Sequence, residues 1–187
     1  GDRVGLISES RPEWPIADLA IMAAGGITVP AYITNGIADH RHVLEDSGAS
    51  AVIISTHTLA KKVLPAAKEA AGVKCAITME VIPEDSTHGI STHLWDTLIS
   101  TQNNGLETLE AATRDIARND TACLIYTSGT GGTPKGVMLS HGAILCNCSG
   151  STEMLKEIGL NDEVFLSFLP LSHSYEHTAG QFFPIMI

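Results

Sequence analysis

The chain has 187 residues, with 21 acidic against 11 basic side chains, and its formal net charge of −10 disfavours nucleic acid as the main partner, which would ask for a basic face. A hydrophobic content of 44 % argues for a folded interior, sufficient for one core or one large subdomain. No apolar run approaches the roughly 18 residues of a membrane-spanning helix, and the start lacks the basic region and apolar core of an export signal.

The elements alternate along the chain. "RVGLIS" (3–8) reads as a strand, and "PIADLAIMAAGG" (15–26) as a helix with Pro15 near its start and Gly25 at its stop. "ITVPAY" (27–32) is strand-like, "IADHRHVLEDSG" (37–48) a short helix ended near Gly48, and "SAVIIS" (50–55) a β-branched strand bounded by polar residues. In "THTLAKKVLPAAKEAAG" (56–72), Leu59, Val63, Ala67 and Ala70 fall at helical spacing, and Pro65 is expected to bend or break that helix. "VKCAITM" (73–79) is another strand. Segments 83–93 and 101–107 read as loops around a short helix at "HLWDTLIS" (93–100).

"TACLIY" (121–126) has the pattern of a buried strand, "GVML" (136–139) of a returning strand, and "SHGAILCNC" (140–148) of a helix start. Ile144, Cys148, Ser151, Leu155 and Ile158 then share one helical face, and "EVFLSFLP" (163–170) reads as a closing strand. Strands alternating with helices predict an α/β fold: a largely parallel, doubly wound sheet with helices on both faces, whose ligands bind beyond the C-terminal strand ends. Cys75, Cys123, Cys146 and Cys148 lack metal-ligand spacing and read as reduced, buried thiols of a cytosolic protein. His40, His42, His57, His88, His93, His141 and the pair Glu84–Asp85 read as solvated surface. The opening on a strand and the apolar end "QFFPIMI" read as a segment of something longer.

The chemistry concentrates in "YTSGTGGTPKGV", residues 126–137, which crowds glycines and hydroxyls around one lysine between two apolar segments. A tight loop in that setting suits a site on a rigid scaffold better than a linker. Pro134 before Lys135 rules out the nucleoside-triphosphatase loop, which needs glycine there, and Pro134 also breaks the dinucleotide pattern after Gly129 and Gly131. The physics of an anion cradle survives both exclusions. Glycines let successive amide N–H groups converge, Thr127, Ser128, Thr130 and Thr133 add hydroxyl donors, and Lys135 supplies a mobile charge.

That run resembles the phosphate-loop signature of the adenylate-forming (AMP-binding) superfamily. "LPLSHSYEHTAGQF" (169–182) is similar to the acyl-pocket motif of its long-chain fatty acyl-CoA synthetase branch, and "GDRVGLISESRPEWPIADLAIMAAGGITVPAY" to the family's early core. The resemblance implies that the chain is part of a large N-terminal AMP-binding domain. It also implies a two-step reaction: with ATP and Mg2+ a fatty acid becomes an acyl-adenylate and pyrophosphate, and CoA then displaces AMP. By the same match, Thr127, Ser128, Gly129, Thr130, Gly131, Gly132, Thr133 and Lys135 are the ATP-phosphate positions, and Gly131 stands where the family often has a hydroxyl. By spacing alone His173 is an ordinary turn histidine. The resemblance makes it a wall between acyl group and adenylate, with Tyr175 and His177 as further acid-site residues and Phe182 and Phe183 along an acyl channel. A metal pair of His173 and His177 lacks a third ligand.

The implied partners are therefore ATP, fatty acid and CoA, in a cytoplasmic protein with peripheral contact to the inner face of a membrane. The family's later motifs, with their Mg2+-binding glutamate and lid lysine, have no counterpart in the 187 residues, so the segment alone is expected to be inactive. Two other readings stay open: adenylation of an aryl or amino acid, and a nucleotide-binding segment without turnover.

Overall fold

The computed structural model describes residues 1–101, 106–127, 132–156 and 164–187. The strands are β1 (Arg3–Ile7), β2 (Ile27–Pro30), β3 (Ala51–Ile54), β4 (Cys75–Thr78), β5 (Ser91–Leu94), β6 (Thr121–Thr127) and β7 (Lys135–Ser140). They form one sheet in the order β5-β4-β3-β1-β2-β6-β7, parallel throughout except for the antiparallel pair β6–β7. The helices are α1 (Glu13–Ala23), α2 (Ile37–Ser47), α3 (His57–Glu69), α4 (Trp95–Thr101), α5 (Leu106–Thr113) and α6 (His141–Lys156). Two short helices, α7 (Ser174–Glu176) and α8 (Phe183–Met186), flank a π-helical turn at His177–Phe182.

Alternation along the strands sorts the core onto two faces. Ile7, Val52 and Ile54 pack with Val43, Leu44, Leu59, Val63 and Leu64 of α2 and α3. Leu6 and Ile53 point the other way, against Trp14, Ala17 and Ile21 of α1. Farther along the sheet, Cys123 and Ile125 pack with Ile144 and Cys148 of α6 and with Phe183. This is the doubly wound arrangement. At Gly5 a Cβ would lie 3.1 Å from both Leu44 and Val52, so the missing side chain is what lets α2 settle on β1.

Local chemistry fixes the helix ends. Asp39 Oδ2 accepts from the Gly36 N–H at 2.9 Å at the start of α2, and Gly48 ends that helix with φ +63°, where a side chain would be strained. The Thr56 hydroxyl caps α3 by accepting from the Leu59 N–H at 3.3 Å.

Several elements differ from the sequence expectation. Helix α3 runs unbroken across Pro65, because Leu59, Val63, Leu64, Ala66 and Ala67 are all buried and hold it together by packing. Residues 91–93, expected in a loop, and Leu94, expected in the following helix, form β5: "STHL" carries almost no apolar signal, and backbone pairing to β4 makes it an edge strand. The next helix consequently begins at Trp95 rather than His93. Helix α5 was not anticipated.

The "EVFLSFLP" segment is no strand over its described residues 164–170, where Val164 is 96 % and Phe168 68 % exposed; Phe165, Leu166 and Phe168 line a cavity and have no sheet partner. Ile144, Cys148, Ser151 and Leu155 do line one face of α6, while Ile158 lies outside the described residues. Cys123 and Cys148 are buried, and burial pushes the Cys123 thiol up to about 12, whereas Cys146 is exposed, contrary to expectation. His40 and His42 also depart from the surface reading, the first fully buried and the second half-buried. Among the described residues, no helix is long and apolar enough to cross a membrane.

Candidate active site

Strand β6 delivers the glycine-rich segment to the C-terminal edge of the parallel strands, and β7 takes it back. Thr127 pairs with Lys135 and Tyr126 with Gly136, so the hydroxyl of Thr127 and the ammonium of Lys135 leave the sheet from directly opposed positions. Thr127, Gly132, Thr133 and Lys135 are all exposed there. Gly132 has φ +91°, which L side chains rarely adopt. Ser128, Gly129, Thr130 and Gly131 lie outside the described residues.

Both ends of this segment are tied to α2. The Tyr126 hydroxyl donates to Asp46 Oδ2 at 2.7 Å, and burial followed by the Asp46 carboxylate raises its pKa. His42 Nε2 lies 2.9 Å from the Pro134 carbonyl oxygen, which can only accept, so that nitrogen carries the proton. The His42 ring also stands edge-on to Tyr126, with centroids 6.1 Å apart.

His173 reaches the same place from the far end of the chain. It caps α7, its Nδ1 accepting from the Tyr175 N–H at 3.2 Å, which leaves Nε2 as the N–H donor. A cleft of about 360 Å3 brings His173 and Ser174 together with Tyr126, Thr127 and Pro134, and Tyr32, Asn35 and Asp39 close it from the β2–α2 side. Ser174 is shared with a larger cavity of about 720 Å3, whose apolar lining includes Leu139, Leu155, Phe165, Leu166 and Phe183 and whose polar lining includes Asn147, Ser151, Glu176 and Thr178. A cavity of that size and mixed lining suits a small molecule with both apolar and polar parts. Phe182 lines a separate apolar groove with Met22, Ile144 and Ile185.

His177 is drawn inward. Its Nε2 is 2.8 Å from Asp18 Oδ2, and the Gln181 amide donates to the same oxygen at 2.6 Å. Trp14 meets the imidazole edge-on, and His177, Asp18, Glu176 and Gln181 are all buried between α1 and the chain's last turns. Sequence reasoning missed Asp18, Asp46 and His42, because their partners lie 159, 80 and 92 residues away. The one local signal was an acidic residue on the apolar α1.

Among the described residues, no group of three or more His, Cys, Asp and Glu side chains suits a metal ion. The chemistry of the described residues fits a phosphate: Thr127 lines the cleft, and Gly132, Thr133 and Lys135 stand exposed on the segment that leads away from it. They do not make a carboxylate set for Mg2+.

The chain is similar to known proteins in sequence and in fold. The family described as AMP-binding enzyme matches residues 1–187. The chain is 35 % identical over 173 residues to the long-chain-fatty-acid–CoA ligase FadD15 of Mycobacterium tuberculosis, covering 92 % of this chain and 28 % of that protein. It is 30 % identical over 181 residues to the peroxisomal long chain acyl-CoA synthetase 6 of Arabidopsis thaliana, covering 94 % of this chain and 25 % of the relative. It thus spans about a quarter of the length of these curated relatives.

The ATP-bound MatB of Rhodopseudomonas palustris superposes with a TM-score of 0.73 at 22 % identity, over 99 % of this chain and 33 % of that one. A red-emitting luciferase of Phrixothrix hirtus gives 0.74 at 18 % identity, over 98 % and 35 %. Both establish the shared fold. With the family match spanning all 187 residues, the chain belongs to the AMP-binding enzyme family.

Proposed function

We propose that this chain is the N-terminal part of a long-chain fatty acyl-CoA synthetase, with the phosphate loop at 126–137 and the acyl-pocket motif at 169–182. In the first step a carboxylate oxygen of the fatty acid bonds to the α-phosphorus of ATP. The bond from that phosphorus to the bridging oxygen breaks, and pyrophosphate leaves with the electron pair. In the second, the CoA sulfur bonds to the acyl carbon and AMP departs. The observation that carries the reading is the cleft in which His173 meets both ends of the glycine-rich segment, sharing Ser174 with the larger cavity.

Each described residue then has a task. Lys135 and the hydroxyls of Thr127 and Thr133 hold the phosphates and stabilise charge gathering on the leaving pyrophosphate. These are preorganised groups that need little reorientation as that charge develops. His173, with its proton on Nε2, donates toward the oxygens shared by acyl group and phosphate. Leu139, Leu155, Phe165, Leu166, Tyr175 and Phe183 accept the acyl chain and exclude water. No described carboxylate set takes Mg2+, so any metal arrives with the nucleotide or is held by residues elsewhere. CoA as co-substrate follows the names of the relatives, a CoA ligase and an acyl-CoA synthetase, whereas a cytoplasmic location and contact with a membrane surface rest on the motif resemblance alone.

The reading is tested by supplying the intact protein with ATP, Mg2+, CoA and a panel of acids, and identifying thioesters by mass spectrometry. Palmitoyl-CoA with an equal amount of AMP is expected. Thioesters from an aryl or amino acid only, or an absence of AMP, would exclude it.

A further inference from the structure

We infer that His42 and Asp46 of α2 are positioning residues that brace the two ends of the phosphate loop, setting the direction in which Lys135 meets the nucleotide. This deepens the nucleotide reading above and rests on it. The two residues are four apart and share one face of α2. Asp46 accepts from the Tyr126 hydroxyl, one residue before Thr127, and His42 donates to the Pro134 carbonyl, one residue before Lys135. One helix therefore holds the segment where it leaves the sheet and where it returns.

The bond to Pro134 has a geometric consequence. The Pro134–Lys135 peptide is planar, so fixing its oxygen fixes the plane from which the Lys135 Cα departs. Tyr126 completes the brace. Its ring stands edge-on to His42, and a Cβ on Gly136 would lie only 3.1–3.2 Å from that ring, so β7 is pressed close beneath it. Neither α2 residue lines up with the reacting groups themselves. Their effect passes through the backbone.

The test uses the intact protein with His42→Ala, His42→Gln, which restores an N–H donor at similar reach, and Tyr126→Phe. Losing one neutral hydrogen bond from a preorganised site is expected to raise KM for ATP about tenfold. KM for palmitate and the unfolding midpoint should stay near wild type, and the amides of Gly132, Thr133 and residues 135–137 should exchange hydrogen faster. His42→Gln should return KM for ATP and the exchange rates towards wild type. An unchanged KM for ATP with unchanged exchange, equal rises for ATP and palmitate, or a folded His42→Gln that behaves like His42→Ala would each overturn the brace. Should His42→Ala fail to fold, Tyr126→Phe must show the same selective rise in KM for ATP or the inference falls. Should the wild type consume ATP with no acid at all, the synthetase reading fails by itself. The hydrogen-exchange comparison then decides the brace independently.

Discussion

In the proposed synthetase, Lys135 and His173 carry different parts of the chemistry, and their surroundings make the difference measurable. Lys135 is exposed at the start of β7. Lys135→Ala should therefore lower the rate of pyrophosphate release about a hundredfold or more, as expected for loss of a preorganised charge at a leaving group, with little change in melting temperature. His173 and His177 separate in the opposite sense. His173→Ala should alter fatty-acid kinetics or chain-length preference more than stability. His177→Ala removes a fully buried partner and leaves the Asp18 carboxylate with Gln181 alone, which should cost about 3 kcal/mol of folding stability in a denaturant titration. Two histidines four residues apart would then give a kinetic and a thermodynamic phenotype respectively.

At the scale of elements, α2 carries more than its amphipathic pattern suggests. Its His40 is 1 % exposed, and burial, aided by Lys62 and opposed by Asp39, pulls its pKa down to about 4. Between pH 4 and about 6.5 the unfolded chain binds a proton that the folded one refuses. The corresponding stability is complete above that window and lost as pH falls through it, by about 3 kcal/mol in all. His40→Met should flatten this part of the pH–stability curve, read from urea midpoints between pH 7.5 and 4.5. An unaltered slope would mean that another group titrates there.

The same helix marks what is legible in a sequence. Its Gly48 stop and the β-branched "AVII" of β3 are local signals, and they are where expected. Elements without a local signal escaped: β5 is an edge strand made by backbone pairing, and the apolar run around Phe165 and Leu166 faces a cavity although its composition suits a strand. Pro65 is the converse case, a local breaker overruled by the buried residues on both sides of it.

For the whole molecule, alternation of strands and helices announced a parallel sheet but not its strand order. That β6 joins beside β2, and that the residues around His173 fold back to the mouth of β6, depends on contacts far apart in sequence. Motif chemistry pointed to Lys135 and His173. The α2 brace and the Asp18–His177 contact became visible only when distant segments met. The most direct measurement of the central claim is acid-dependent exchange of labelled pyrophosphate into ATP by the intact protein, which isolates the adenylation step from thioester formation. If the chain is part of a long-chain synthetase, exchange requires a long-chain fatty acid such as palmitate and Lys135→Ala nearly abolishes it. Exchange that needs no fatty acid, that only an aryl or amino acid supports, or that survives Lys135→Ala unchanged would contradict it.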